Sequence, residues 1–323
     1  MTLKMIVASA IMACTVVVHA TSWTGYTYSS VSTTAAVKGM YRISERVAAE
    51  TNGDVDIKIH LGKTLQIKSS DITQAVGDGI VDFAADFFFS GNVPIARVLN
   101  LPMLINNDQE WQKAYAAMQP MLEDAFARQD VVLLGGYRYP QQVFFTTFPV
   151  NQLSDIKGHK IRVTSPEQGH FVEAFGGLPI TLSGSEVPTA LERGVIDGVL
   201  TASAGGAKKW HEFLPNNYRF AVNYGNSMII ANIDSFEDLD KKDQATLRAI
   251  VSEEGENISA EFIEDEKAQM AFQQSKGMTI AMPAESDAKK ANDLLRPYWF
   301  EWAKDNGPEY EEALALVLKA IGK

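Results

Sequence analysis

The sequence is nearly without cysteine: Cys14 stands alone in 323 residues. A lone cysteine forms no internal disulfide and no thiolate metal site, so stability must come from packed cores. Histidine is also scarce, at five residues. His60, His159, His170 and His211 stand far apart, without metal-ligand spacing. There is no Gly-x-Ser-x-Gly element. Gly62-Lys63-Thr64 imitates the end of a phosphate loop, but Ile57 occupies the place of its first glycine. These absences remove the commonest hydrolase, metalloenzyme and nucleotide-binding signatures, and no catalytic residue, metal or cofactor is expected.

A bilayer-spanning apolar run is missing as well. Met5 to Val18 is largely apolar but too short to cross a membrane. It follows Lys4 and leads to Val18-His19-Ala20, a small-residue cleavage site, so residues 1–20 read as a secretory signal peptide. Ile11-Met12-Ala13-Cys14 loosely resembles a lipoprotein box, yet the apolar run continues past Cys14, which favours cleavage after Ala20. The chain also lacks positive charge. Without residues 1–20 it carries 28 basic and 40 acidic residues, a formal charge of −12. Such a surface repels nucleic acid and anionic lipid, so an anionic ligand must be caught by local groups. With 46% apolar and 21% charged residues, the composition is that of an exported globular protein, expected in the periplasm as a monomer.

What is present is a repeated α/β grammar. Val55 to His60 alternates as a strand, Ser70 to Val76 reads as a helix, and Gly79 to Phe83 as a second strand. The second half repeats this with strand Lys160–Val163, helix 169–175, strand 179–182, helix 187–193 and strand 194–198. Ala75-Val76-Gly77-Asp78-Gly79-Ile80-Val81-Asp82 parallels Ala190-Leu191-Glu192-Arg193-Gly194-Val195-Ile196-Asp197. In each, a glycine where a helix should end permits a left-handed cap. Two similar blocks imply two similar lobes. Lys241 to Lys276 is free of proline; as one helix it would span roughly 50 Å and run along both lobes. Gly255 is its expected point of flexure. Residues 287–306 and 309–321 read as further amphipathic helices, with a kink expected near Pro297.

The most informative stretch is 155–198. Asp155-Ile156-Lys157-Gly158 leads to Lys160-Ile161-Arg162-Val163, where a guanidinium stands near the end of a short β-branched strand, a placement suited to anion capture. Gly177-Leu178-Pro179, Ser185-Glu186-Val187 and Gly194-Val195-Ile196-Asp197-Gly198 follow, and Leu101-Pro102-Met103-Leu104 precedes them. In this order and spacing these segments resemble, across the chain beyond residue 20, the extracytoplasmic solute-binding proteins of tripartite ATP-independent periplasmic (TRAP) transporters, the DctP family.

The resemblance implies a two-lobed α/β periplasmic binding protein fold with a hinge and a long helix spanning both lobes. We expect residues 21–139 and 228–265 in lobe I, and 140–227 and 266–323 in lobe II. It also implies closure on an organic acid that is passed to membrane permease subunits. Arg162 falls on the family arginine that pairs with the ligand carboxylate, a role suited to a planar two-donor fork. Thr201 replaces an asparagine, and Ser165 a larger polar residue, of sialic-acid-type relatives. Their second arginine has no clear counterpart: Gln142 lies in that region, with Arg138 upstream. Phe87, Phe88, Tyr28 and Asn226 complete the candidate ligand set. Asp86 would receive a ligand group or pair with a lysine, and Glu186 would serve a helix N-terminus. An exported enzyme acting on an organic acid, or a ligand-sensing partner of a receptor, stands as the alternative; the acid itself is not named by the residues.

Overall fold

The computed structural model describes residues 21–323; the expected signal peptide and Cys14 lie outside the described residues. Strand β1 (Thr21–Thr27) leads to helix α1 (Ala35–Glu50) and β2 (Val55–His60), then α2 (Ile72–Gly77), β3 (Phe83–Asp86), α3 (Asp108–Ala127) and β4 (Val131–Thr146). The second half begins with β5 (Lys160–Val163), α4 (Pro166–Ala174), β6 (Leu178–Thr181), α5 (Val187–Glu192), β7 (Gly198–Thr201) and α6 (Ala207–Trp210). β8 (Asn216–Asn232), α7 (Ile233–Glu237), α8 (Lys241–Ser275), β9 (Thr279–Ala281), α9 (Glu285–Asn306) and α10 (Pro308–Ile321) complete the chain.

The strands form one sheet in the order β2-β1-β3-β8-β4-β7-β5-β6, with β9 beside β8. The long antiparallel pair β4 and β8 belongs to both halves and makes the two-lobed fold continuous. Its register slips where Arg138 faces Asn226 and Gln141 faces Tyr224, leaving Tyr139 and Pro140 opposite Gly225. Proline brings no backbone N–H, so the ladder is interrupted here, as it also is between Leu133 and Gly135 and between Gln142 and Phe144.

The repeated sequence blocks fold alike. After α2, Gly79 takes φ 68°, its N–H donates to Val76 O, and Ile80 N–H donates to Ala75 O. After α5, Gly194 takes φ 63°, with matching bonds to Leu191 O and from Val195 N–H to Ala190 O. These paired bonds satisfy the carbonyls at each helix end. Asp82 and Asp197 then accept the backbone N–H of Thr24 and Lys160 on the adjacent strands, at 2.7 and 2.8 Å. The cap and the aspartate consume residues 79–82 and 194–197. The strands expected from Gly79 and Gly194 therefore begin at Phe83 and Gly198.

Trp23, Met40, Phe83 and Ile258 share one first-lobe core, and Phe89, Leu99, Trp111 and Met118 another. Phe144, Ile161, Phe171 and Tyr218 centre a second-lobe core. Ala291 and Leu295 of α9 join that second-lobe core, but Trp299, Trp302 and α10 residues Leu314 and Val317 pack with α3. The last helix thus sits on the first lobe, although the expected boundaries place 266–323 in the second. α9 continues through Pro297.

α8 is one continuous helix, and here the expected flexure fails. Gly255 is buried, and a β-carbon built on it would lie 2.4 Å from Gly136 O of β4. The glycine serves close approach rather than bending. Ser259 fixes the same crossing, accepting Arg138 N–H at 3.1 Å while donating to Gly255 O. Arg42 and Arg46 of α1 clasp Glu254, which is almost fully enclosed. Farther along, Glu266 accepts Ala204 N–H at 2.8 Å and pairs with Arg219 at 2.9 Å, and Asp265 pairs with Lys208.

Candidate functional site

Arg162 lies on β5 between β6 and β7, one residue before the strand ends. Its neighbours Ile161 and Val163 point into the second-lobe core, so alternation turns Arg162 to the opposite face. Only 4% of Arg162 is exposed. Its Nε donates to Leu182 O at 2.9 Å, and its guanidinium carbon sits 5.7 Å from the Trp210 ring centre. Among the described residues it makes no ion pair, and its two terminal nitrogens make no protein hydrogen bond. Burial lowers its pKa to about 10, with Tyr28 and Glu186 acting in the opposite sense. At neutral pH it remains a cation.

A cleft of about 770 Å³ opens in front of it. Tyr28, Phe87, Phe88, Gln142 and Thr201 line it, as do Tyr139 and Trp210. The aromatic wall is built from contacts: Phe87 lies 5.5 Å from Tyr28, 5.3 Å from Phe88 and 5.2 Å from Tyr139, centre to centre. The Tyr28 and Tyr139 hydroxyls hydrogen-bond to each other. Enclosure raises both far above the ordinary phenol value, so both stay neutral donors. Thr201 Oγ1 accepts Gly206 N–H at 3.0 Å, and Gln142 Nε2 donates to Pro140 O at 2.9 Å.

The other candidates are elsewhere. Ser165 and Asn226 line an adjoining cavity of about 280 Å³ that shares the Phe87 and Phe88 rings. Ser165 caps α4 through Gln168 N–H. Arg138 reaches neither cavity: its Nε pairs with Asp108 at 3.1 Å and its guanidinium lies over Trp111. Asp86 lines neither cavity and pairs with no lysine among the described residues. Its buried carboxylate accepts Thr73 N–H, Thr73 Oγ1 and Phe88 N–H, fixing the start of α2 and the turn that carries the phenylalanines. Glu186 caps no helix N–H; it accepts Ser183 N–H at 2.9 Å and Ser183 Oγ at 2.7 Å, closing a loop at the cleft edge.

Burial pushes the Asp86 pKa up to about 6 from 3.8. The folded chain therefore holds a proton that the unfolded chain releases, and the stability due to this group falls as pH rises from 4 to 6. Over that window wild type should lose on the order of 2 kcal/mol relative to Asp86→Asn. Urea unfolding at pH 4 and 7 measures it; parallel pH profiles would show that Asp86 does not titrate there.

Trp210 was not among the candidates. The clue to it is Gly206, where a β-carbon would lie 2.1 Å from the indole. Lys63, Lys68 and Lys209, which are exposed on the cleft rim, were missed as well, since isolated lysines carry no sequence signal.

A family model for bacterial extracellular solute-binding proteins of family 7, DctP, matches residues 27–305. The chain belongs to this family. A solute-binding protein of Sulfitobacter sp. (strain NAS-14.1) is 24% identical over 232 residues, 70% of this chain and 69% of that one. The fold of the DctP-family chain closely matches DctP7, a Bordetella pertussis extracytoplasmic solute receptor binding pyroglutamic acid. The TM-score is 0.86 at 24% identity, covering 94% of this chain and all of the other. It also matches a TRAP periplasmic solute-binding protein from Sulfitobacter sp. NAS-14.1 with bound β-D-galacturonate, with TM-score 0.83 at 20% identity over 94% and 100% of the two chains. The family is one of extracytoplasmic solute receptors, and no helix among the described residues is long and apolar enough to cross a membrane.

Proposed function

We propose that this DctP-family protein captures an organic acid in the interlobe cleft, holds its carboxylate on Arg162, and delivers it to TRAP permease subunits. The carrying observation is the buried guanidinium in a ligand-sized cleft, with no carboxylate in ion-pair contact among the described residues, the Glu186 carboxylate on the same cleft being bonded to Ser183 instead. A desolvated cation without a counterion is costly, and a bound carboxylate would offset that cost through two parallel hydrogen bonds. Relatives that bind pyroglutamic acid or galacturonate support this reading, since both ligands are carboxylic acids. In this role residues 1–20 direct export, and closure presents a surface to the permease.

A thermal-shift screen of the purified protein tests the proposal. Carboxylic acids should raise Tm, whereas neutral sugars, amines and amino-alcohols should not. A neutral or cationic solute that raises Tm and binds in the cleft, with no response to any carboxylate, would overturn it.

A further inference from the structure

Resting on the two-lobed receptor reading, we infer that Arg97 and Glu167 form an interlobe clasp that holds the cleft closed, so that capture depends on a charge pair the solute never meets. An enclosed carboxylate and the chain connections on either side of it lead there.

Glu167 stands in the first turn of α4, in the second lobe, and is 0% exposed. Arg97 stands in the tight helical segment Pro94–Asn100, whose Val98 and Leu99 belong to a first-lobe core. Its Nε and one terminal nitrogen reach the same oxygen, Glu167 Oε1, at 2.6 and 2.5 Å. Among the described residues no other cation pairs with Glu167, and its Oε2 is enclosed without a donor. The arginine is seated on an indole, its guanidinium carbon 5.8 Å from the Trp302 ring centre. Separating an enclosed carboxylate from its one cation is costly, so a rotation that parts the lobes at this point is opposed.

Each end of the pair lies just beyond one wall of the cleft. The phenylalanines of the aromatic wall lead through the turn Phe89–Gly91 into Pro94–Asn100. On the other side, Arg162 leads through the end of β5 and the Ser165 cap to Glu167. Neither Arg97 nor Glu167 lines the main cleft. They therefore tie its two walls together from behind.

A neutral route runs beside the ion pair. Thr164 N–H and Oγ1 donate to Gln168 Oε1 at 2.8 and 3.0 Å, Gln168 Nε2 donates to Asn223 Oδ1 at 3.0 Å, and Asn223 Nδ2 donates to Asn100 O at 2.8 Å. Asn223 belongs to β8 and faces Gln142 at the strand crossing, so this route passes through the hinge. The ion pair joins lobe to lobe directly, and it is the link that a rotation about the crossing would strain.

Double electron–electron resonance tests the clasp. Cys14 is the one native cysteine, so in a Cys14→Ser parent chain spin labels at Glu45→Cys on α1 and Glu192→Cys on α5, both exposed, report the distance between the lobes. Spectra are taken without solute and with pyroglutamate, orotate or galacturonate in excess. Glu167→Gln and Arg97→Gln should each shift weight to longer distances in at least one of these conditions and lower Tm. The double variant Arg97→Gln/Glu167→Gln leaves no charge enclosed without a partner, so its Tm should recover while its distances stay long. An acid captured by the parent should leave the double variant roughly tenfold faster, with little change in its rate of entry. Arg128→Gln, which breaks an exposed pair with Glu309 at 3.4 Å, should leave the distances unchanged. Double-variant distances that superimpose on the parent's in every condition, or an equal shift in Arg128→Gln, would overturn the clasp and leave the receptor role standing. That role falls separately, on a thermal-shift screen that responds to neutral or cationic solutes and to no carboxylate.

Discussion

Arg162→Ala should lower affinity for the acid ligand at least 100-fold, below detection in ordinary calorimetry. Removing one member of an enclosed, hydrogen-bonded charge pair costs about 2–5 kcal/mol, much of it from the partner left unpaired. Here the unpaired partner would be the ligand carboxylate beside Trp210 and the aromatic wall. Arg162→Lys should retain part of the affinity, since an ammonium supplies charge without a planar fork. The empty protein should lose little stability in either variant. The guanidinium makes one hydrogen bond, to Leu182 O, and burial disfavours its charge. Lost binding with an unchanged unfolding midpoint is therefore the expected pattern; wild-type affinity in Arg162→Ala would remove this residue from the site.

Gly255→Val should prevent folding or produce insoluble protein, and Gly255→Ala should destabilise by about 1–3 kcal/mol. Propensity alone argues the reverse, because alanine favours a helix over glycine by about 1 kcal/mol. Contact decides the sign. The added carbon would meet the Gly136 carbonyl at 2.4 Å, and a backbone oxygen within a central strand cannot swing aside as a side chain can. The helix would have to lift from β4, straining the Ser259 bond to Arg138 N–H. Urea unfolding of Gly255→Ala measures the effect. A variant as stable as wild type would show that α8 can shift at no cost.

The sequence carried much of the plan in local chemistry. The twin helix-to-strand junctions were legible because glycine at a helix end and an aspartate three residues later each do a definite job. Arg162 was legible because a guanidinium inside a β-branched run is unusual. Other features needed the third dimension. Gly255 reads as a flexible point in one dimension and becomes a contact point only when β4 is laid beside it. Arg138 and Arg162 both stand on strands near the crossing; what separates them is the company of Asp108 and Trp111, distant in sequence from Arg138. Asp86 lies beside the aromatic wall in the chain, yet it faces Thr73 and its own turn. Trp210 depended on the space left by Gly206. The packing of α10 on α3 brings together segments almost 200 residues apart, beyond the reach of any periodicity.

The attachments of α8 make the helix a ruler for the cleft. Its early part is fixed to α1 and β4 through Glu254, Gly255 and Ser259, and its later part holds residues 204 and 208, on the segment that leads to Trp210. How far the Trp210 side stands from the Tyr28 side is thus set by the number of residues between Ser259 and Asp265, none of which lines the cavity. One inserted residue there would turn Asp265 and Glu266 by about 100° and carry them about 1.5 Å along the axis. Ligand size in this protein is then governed partly by helical phase, and chains with every cleft residue in common could accept different solutes through a change in a helix that never touches them.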